Sequence, residues 1–348
     1  MNPYVLMILL SSLGLGTTLT FASSHWLLAW MGLEVNTLAI LPLMAQQHHP
    51  RAVEATTKYF LTQATAAAMI LFAATTNAWM TGEWDINNML HPLASTLTIT
   101  ALALKVGLAP MHFWMPEVLQ GLDLTTGLIL STWQKLAPFA LIIQMAPNTN
   151  PMLLTSLGLM STLIGGWGGL NQTQLRKILA YSSIAHMGWM IIVLQYAPQL
   201  TMIALGMYIL MTATAFLSLK MSSATKINTL TTTWSKSPIL TSTTALALLS
   251  LGGLPPLSGF MPKWLILQEL SKQNLPLTAT IMALAALLSL YFYLRLCYAM
   301  TLTISPSTTN AITPWRTQTT QTTFILALFS TTALGLLPIT PAMTALVT

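Results

Sequence analysis

The chain has 348 residues, of which 6% are charged and 54% are hydrophobic, and its mean hydropathy is +0.68. A soluble domain normally carries about 25% charged residues, so the composition excludes a water-dispersed protein and predicts an all-α polytopic membrane protein. The net charge of +6 is interpreted as a signal of membrane topology rather than of nucleic-acid binding. A single cysteine, Cys297, excludes an intramolecular disulfide and argues against a cysteine-based metal or redox centre.

Long apolar stretches follow one another along the whole chain. A helix needs about 20 mostly apolar residues to cross the hydrocarbon core of a bilayer, and stretches of this kind predict eleven transmembrane helices. In chain order they cover residues 3–21, 26–45, 57–80, 93–116, 124–145, 152–170, 178–195, 200–219, 238–267, 276–299 and 322–345. The longest polar segments, 220–237 and 300–321, are loop-sized, so one transmembrane domain is predicted.

Loops assigned to alternate sides of the membrane carry very unequal charge. The side of the N-terminus receives nine basic residues, which are Arg51, Lys58, Arg176, Lys177, Lys220, Lys226, Lys236, Arg295 and Arg316. The opposite side receives one, Lys272, together with the acidic residues Glu83 and Asp85. Basic residues concentrate in cytoplasmic or matrix loops. The N-terminus is therefore predicted on the matrix or cytoplasmic side, and the C-terminus, after an odd number of helices, on the other side.

One motif occurs twice at a constant offset of 146 residues: residues 107–116 read GLAPMHFWMP and residues 253–262 read GLPPLSGFMP. The two copies lie five predicted helices apart, which gives them opposite orientations in the membrane. Inverted repeats with Gly/Pro-interrupted helices are typical of ion-coupled transporters. The sequence therefore predicts two inverted five-helix repeats, about 3–145 and 152–299, each with one broken helix, and a final helix at about 322–345.

Four ionisable residues lie well inside predicted spans: Glu34, Lys105, Lys135 and Lys263. A charge at the bilayer centre costs about 2.5–3.5 kcal/mol on insertion scales, so each of them needs a partner or a hydrated cavity. A nearby carboxylate holds the proton on a buried lysine, and its departure releases the proton. A Glu–Lys pair of variable separation thus predicts a proton switch. The alternative is that the lysines extend their ammonium groups to the membrane interface.

His112 and His186 are candidate relay residues, because histidine exchanges protons near neutral pH. Each can equally be a hydrogen-bonding residue inside the helix bundle. Glu117, at the end of the fourth span, is interpreted as an interfacial capping residue. The adjacent pair His48 and His49 lies in a loop, which disfavours a zinc site. Phosphate-binding, dinucleotide-binding, CxxC and nucleophile-elbow motifs are absent, so neither a metal site nor a cofactor site is predicted.

Four motifs around these residues carry a resemblance to a known family. They are Trp30-x-Gly32-Leu33-Glu34-x-Asn36, Lys105-x-Gly107-x-Ala109-Pro110-x-His112-x-Trp114-x-Pro116-Glu117, Leu179-Ala180-Tyr181-Ser182-Ser183-Ile184-x-His186-Met187-Gly188 and Gly252-Gly253-Leu254-Pro255-Pro256-x-x-Gly259-Phe260-x-Pro262-Lys263. Over its whole length the chain closely resembles the subunit 2 family of mitochondrial NADH–ubiquinone oxidoreductase, respiratory complex I, of the vertebrate type. That family is one of three antiporter-like subunits of the complex and is similar to subunits of multicomponent sodium/proton antiporters.

The resemblance implies a core of ten helices in two inverted five-helix units, and proton translocation coupled to quinone reduction elsewhere in the complex. By position it also implies roles for six residues: Glu34 and Lys105 as the coupling pair of one half-channel, Lys135 as the central lysine, Lys263 as the terminal ionisable residue of the other half, and His112 and His186 as members of a hydrated axis. Two alternatives stay open, namely a stand-alone cation/proton antiporter and a structural scaffold subunit that does not pump.

The resemblance further implies a location in the mitochondrial inner membrane, with the N-terminus in the matrix. It places every cofactor in partner subunits, which hold NADH, FMN, iron–sulfur clusters and ubiquinone, and none in this chain. The expected partners are the antiporter-like subunit 4, the small subunit 4L, accessory subunits and lipids such as cardiolipin. Nucleic acid is not an expected partner.

Overall fold

The computed structural model describes residues 2–46, 48–303 and 323–347, and over these ranges the chain is helical without a β-strand. The chain divides into two compact units, Met1–Ser161 and Thr162–Thr348. The helices of the first unit are α1 (Pro3–Ala22), α2 (Trp26–Met44), α3 (Pro50–Thr81), α4 (Pro92–Val106), α5 (Trp114–Gly121), α6 (Leu124–Ser131) and α7 (Trp133–Met145). Helix α8 (Pro151–Gly168) contains the boundary between the units.

The described helices of the second unit include two very short ones. They are α9 (Leu175–Val193), α10 (Pro198–Ser222), α11 (Ile227–Thr231), α12 (Thr233–Lys236), α13 (Pro238–Gly252), α14 (Phe260–Lys272), α15 (Pro276–Thr301), α16 (Phe324–Gly335) and α17 (Thr340–Val347). Helices α11 and α12 occupy the polar segment 220–237. The predicted loop 300–321, with Arg316, falls almost entirely outside the described residues.

Proline marks the starts of many of these helices, because its missing N–H is not needed in the first helical turn and its φ angle already suits a helix. Helices α1, α3, α4, α8, α10, α13 and α15 all begin on a proline. Side chains just before the first turn complete some of these starts. The Asn2 side chain accepts a hydrogen bond from the Tyr4 N–H at 3.2 Å, and the His49 ring accepts one from the Arg51 N–H at 3.2 Å.

Two interruptions divide the spans that carry the repeated motif. Helix α4 ends at Gly107, with φ +86°, and helix α13 ends at Gly253, with φ +82°. Glycine suits both positions because a side chain disfavours positive φ. Both helices have 15 residues, begin on a proline and occur at the offset of 146. A helix of 15 residues is about 22 Å long, too short to cross a hydrocarbon core of about 30 Å.

Six described helical spans are long and apolar enough to cross a membrane, one of them being Leu124–Asn148, which joins α6 and α7. A seventh span results if the bent pair at the C-terminal end, Phe324–Gly335 and Leu337–Ala345, is counted as one. The other predicted spans form helices that are interrupted, shorter or less apolar, so eleven stays a prediction. The single final helix predicted at 322–345 is wrong in one respect: α16 and α17 meet at 61°. The break falls at Leu336, between Phe324–Gly335 and Leu337–Ala345. Pro338, in the short 3-10 turn that follows, cannot donate the hydrogen bond that a continuous helix needs.

Each unit has its own packing. In the first unit, α2 packs against α1 and α3, and α4 packs against α3 and α7. In the second unit, α10 contacts α9, α13, α14 and α16, while α13 also packs against α15. The broken helices α4–α5 and α13–α14 therefore pack against helices of their own unit.

Candidate functional site

Glu34 and Lys105 interact through their opposite charges inside the first unit. Glu34 lies in α2, is half-buried, and accepts a hydrogen bond from the Thr37 hydroxyl at 3.2 Å. Its charge acts on Lys105, in the last turn of α4, and on Tyr59 of α3. None of the ion pairs within 4.0 Å in the described part of the chain joins Glu34 to Lys105. The carboxylate and the ammonium therefore interact across a gap rather than in direct contact.

A small internal cavity in the first unit contains both candidate lysines. Its volume, the space open to the centre of a water molecule, is about 10 Å³. The polar side chains of its lining include Asn36, Gln63, Lys105, Gln134 and Lys135. About 10–15 Å³ by this measure holds one water molecule, so the cavity is the size of one water and not of a continuous water chain.

Several buried polar atoms at this cavity have no hydrogen-bond partner among the described residues. They are Lys105 Nζ, Asn36 Oδ1, Asn36 Nδ2 and Gln63 Nε2. Lys105 is 5% exposed and Asn36 is 2% exposed, so bulk water does not reach them. Buried polar groups are nearly always hydrogen-bonded to protein or to ordered water. The set of donors and acceptors at this cavity is thus suited to holding a water molecule between the lysines.

Lys135 lies beside an irregular turn. The span 124–145 is predicted as one helix, and the structure has one membrane-length span, Leu124–Asn148, with a local irregularity at Thr132 between α6 and α7. The Thr132 hydroxyl donates to the Leu128 carbonyl at 2.7 Å, a back-bond that bends helices. Lys135 follows in the first turn of α7 and is 2% exposed. The side chain of the adjacent Gln134 donates to the Asn36 carbonyl at 3.3 Å, which links α7 to α2.

Lys263 follows directly after the second interruption. It lies in the first turn of α14, and its ammonium donates a hydrogen bond to the Gly252 carbonyl at 2.7 Å. A Cβ at Gly253 would lie 2.9 Å from that ammonium nitrogen, so the glycine leaves room for the lysine. The free carbonyls at a helix C-terminus attract a cation. In the first unit, a comparable carbonyl, that of Leu104, accepts from the Trp114 indole at 3.0 Å.

The two histidines have different surroundings. His112 lies in the interruption after α4, is 3% exposed, and donates through Nδ1 to the Pro110 carbonyl at 3.3 Å. It does not line the cavity of Lys105 and Lys135. His186 lies in α9, is 9% exposed, and donates through Nδ1 to the Ser182 carbonyl at 2.7 Å. Its ring centre lies 5.6 Å from that of Tyr208.

Tyr208 of α10 lies beside His186 in the second unit. It is hydrogen-bonded to Ser183, three residues before His186. The serine was visible in the sequence as a neighbour of His186, but the tyrosine comes from another helix. Nothing in the local sequence marks it. Gln63 of α3 is a further site residue without a sequence signal, whereas Asn36 stands within the motif around Glu34 and Gln134 is adjacent to Lys135 in the sequence.

Glu117 lies outside these buried sites. Its carboxylate is 54% exposed and lies 2.7 Å from Lys58, which also contacts Glu54 at 2.7 Å. Within the described ranges, no group of three or more His, Cys, Asp or Glu side chains is arranged to hold a metal ion.

The fold and the buried amines define an antiporter-like membrane subunit, and comparisons with known proteins agree with this class. A family model described as "NADH:quinone oxidoreductase/Mrp antiporter, TM" matches residues 23–289. A second, "NADH dehydrogenase subunit 2 C-terminus", matches residues 290–344. Among solved structures, a chain of respiratory complex I from Thermus thermophilus has a TM-score of 0.84 and 29% identity, covering 97% of this chain and 78% of that chain. The Mrp complex from a Dietzia species shares the fold at a TM-score of 0.84 and 16% identity, covering 97% and 75%.

Relatives with much higher identity are fish proteins named NADH-ubiquinone oxidoreductase chain 2. The protein of Formosania lacustris is 86% identical over 346 residues, or 99% of each chain, and that of Danio rerio is 75% identical over the full 348 residues of both chains. The chain therefore belongs to the NADH-ubiquinone oxidoreductase chain 2 family. It is an antiporter-like, multi-pass subunit of the membrane arm of complex I.

Proposed function

We propose that this chain translocates protons across the inner membrane, using Glu34, Lys105 and Lys135 in its first unit and Lys263 in its second. The observation that carries the proposal is the small cavity lined by both Lys105 and Lys135. A structural lysine would be expected to pair with a carboxylate or to reach the membrane surface. Lys105 does neither, since its ammonium has no hydrogen-bond partner among the described residues.

The proposed transfer takes three steps. While the Glu34 carboxylate lies near Lys105, its negative charge favours the protonated lysine. A change of charge or distance at Glu34 releases this proton to a water molecule in the cavity. The water passes one of its protons to the neutral amine of Lys135 and keeps the proton from Lys105, so the number of protons is conserved. Because the cavity holds about one water, exchange with either side of the membrane requires the site to open.

In the second unit, Lys263 and His186 are the proposed proton-carrying groups. His186 is bonded to the Ser182 carbonyl and lies beside the Tyr208 ring, so a carbonyl and a phenol flank the imidazole. His112 is proposed to act at the first interruption, outside the cavity of Lys105 and Lys135. The matched positions of α4 and α13 support the further proposal that the two units are inverted repeats.

The same proposal includes the surroundings of the chain. The N-terminus lies in the matrix and the C-terminus in the intermembrane space. Antiporter-like subunit 4 and the small subunit 4L are its neighbours, with accessory subunits and lipids such as cardiolipin around them. This chain holds no cofactor of its own, and energy from quinone reduction reaches it through changes in charge along the membrane arm.

The decisive experiment replaces Lys135 by Met in the assembled complex. We expect NADH-driven proton translocation through this subunit to fall by about two orders of magnitude. Without the Lys135 amine, the proton in transit has no basic group to bind at this point. The resulting cost is comparable to the about 2.5–3.5 kcal/mol of an uncompensated charge in the membrane. About 1.4 kcal/mol corresponds to a factor of ten in rate. The measurement is protons moved per NADH oxidised in proteoliposomes, with exposed Lys220 replaced by Met as the matched control.

Each alternative function predicts a different result. If the Lys135→Met complex assembles normally and pumps normally per electron, the chain is a scaffold and the proposal is wrong. If the purified chain alone exchanges cations for protons in liposomes, a stand-alone antiporter is the better description.

A further inference from the structure

An open apolar groove lies beside α14 in the second unit. One wall consists of Phe260, Trp264 and Leu265, and the opposite wall comes from the bend between α16 and α17, with Leu337 and Pro341. Its volume is about 470 Å³, within the range of about 300–1,000 Å³ found for sites of small molecules. Trp264 is 58% exposed. We call this depression, together with its polar continuation, the α14 groove.

The α14 groove continues into a polar depression of about 330 Å³ that shares Leu265 and Thr344 with the apolar part. Its lining includes Gln268, Glu269 and Lys272. The Glu269 carboxylate is only 18% exposed and lies 3.3 Å from the Lys272 ammonium, which is 61% exposed. One end of the groove is thus apolar, and the other offers a carboxylate and an ammonium side by side.

The length of the groove matches half a bilayer. Helix α14 has 13 residues and is therefore about 20 Å long. One leaflet is about 15 Å of hydrocarbon plus its headgroup region. If the interruption before Phe260 lies at mid-membrane, the apolar end is level with acyl chains and Lys272 is level with headgroups. This placement of the interruption rests on the proposed function.

We propose that the α14 groove binds one phospholipid with an ethanolamine headgroup. One acyl chain lies against Trp264 and Leu337, the phosphate contacts Lys272, and the primary ammonium of the headgroup donates hydrogen bonds to Glu269. The paired charges of the protein match the paired charges of this headgroup. A purely anionic lipid would pair its phosphate with Lys272 but bring no cation to the Glu269 carboxylate, and a choline headgroup has no N–H to donate.

The proposal is tested on the purified, intact complex by native mass spectrometry and by photo-cross-linking. Phosphatidylethanolamine with a diazirine in its acyl chain should label peptides spanning residues 255–265 and 337–344 in the unmodified complex. Retention of the ethanolamine lipid should fall roughly tenfold in Glu269→Gln, the change expected on losing a hydrogen bond to a charged group. A similar fall is expected in Trp264→Ala. Labelling by the phosphatidylcholine analogue should be much weaker.

Matched controls lie on surfaces away from the groove. Trp167 is 74% exposed on α8, and Glu54 is exposed on α3, so Trp167→Ala and Glu54→Gln should retain the lipid. Equal labelling by the choline and ethanolamine lipids would overturn the proposal, as would density for a neighbouring subunit's helix in the groove. The cross-linking needs no variant, so a variant that fails to assemble leaves the test intact. Loss of pumping in Lys135→Met does not affect labelling, so the two proposals fail separately.

Discussion

The buried amines of the two units differ in how their charge is compensated. Lys263 donates directly to a backbone carbonyl, whereas the Lys105 ammonium has no hydrogen-bond partner among the described residues and is near unpartnered amide atoms of Asn36 and Gln63. A polar group without a protein partner adds little to folding stability, but it can orient water. We therefore assign the amides around Lys105 a role in proton transfer rather than in stability.

This assignment makes Asn36→Leu informative. The side chain amide has no partner among the described residues, so we expect the thermal stability of the complex to change by less than about 1 kcal/mol. Proton translocation per NADH should fall clearly, because the cavity loses a donor and an acceptor. Both quantities can be measured on the same preparation.

The matched control is Asn77→Leu, because Asn77 is also fully buried but donates to the Glu83 and Asn88 carbonyls. It should lose about 1–3 kcal/mol of stability and pump normally per electron. The assignment is wrong if Asn36→Leu destabilises the complex as strongly as the control and leaves pumping unchanged.

At the scale of helices, α1 and α2 approach each other through glycines. A Cβ on Gly16 would lie 2.5 Å from Asn36 Oδ1 and 2.9 Å from the Gly32 carbonyl oxygen, and a Cβ on Gly32 would lie 2.9 Å from the Gly16 carbonyl oxygen. Small residues allow such close helix packing in membranes. Helix α2 carries both Glu34 and Asn36, so this contact determines where the two side chains lie relative to α4.

Gly16→Ala should therefore lower stability by about 1–3 kcal/mol, as overpacking does, and reduce pumping by displacing Asn36. Gly14→Ala lies on the same helix with nothing within 4 Å of the added Cβ. Alanine is the better helix former by about 0.5–1 kcal/mol, so this control should be neutral or stabilising. The measurements are the midpoint of thermal inactivation and protons per NADH. Equal effects of the two variants would contradict the role given to the glycine contact.

Helix positions and interruptions were largely predictable from sequence, whereas contacts between helices were not. The second span was predicted at 26–45 and is Trp26–Met44, because apolar length and flanking polar residues define a span. The glycines of the repeated motif, Gly107 and Gly253, made both helix interruptions predictable. Gln63 and Tyr208 were missed because their partners come from other helices, and periodicity contains no such information. The turn at Thr132 was missed because a threonine back-bond depends on backbone geometry, and the bend at Leu336 because apolar composition continues through it.

For the whole molecule, the charge asymmetry of the loops gives a topology that can be tested directly. Lys226 and Lys272 are both exposed and are predicted on opposite sides of the membrane. A membrane-impermeant maleimide should modify Lys226→Cys only from the matrix side and Lys272→Cys only from the intermembrane space. Cys297 is buried, so the native background in this chain should be low. Modification of both variants from one side would contradict the alternating arrangement of the helices.

The hydrogen bond from Lys263 to Gly252 has a mechanical consequence. A carboxylate can be neutralised while it stays in place, but a backbone carbonyl keeps its dipole at any pH. Within the proposed mechanism, titration therefore leaves the attraction of this carbonyl for the Lys263 proton in place. A shift of α14 away from the last turn of α13 is what weakens it, so the first unit is switched by charge and the second by motion.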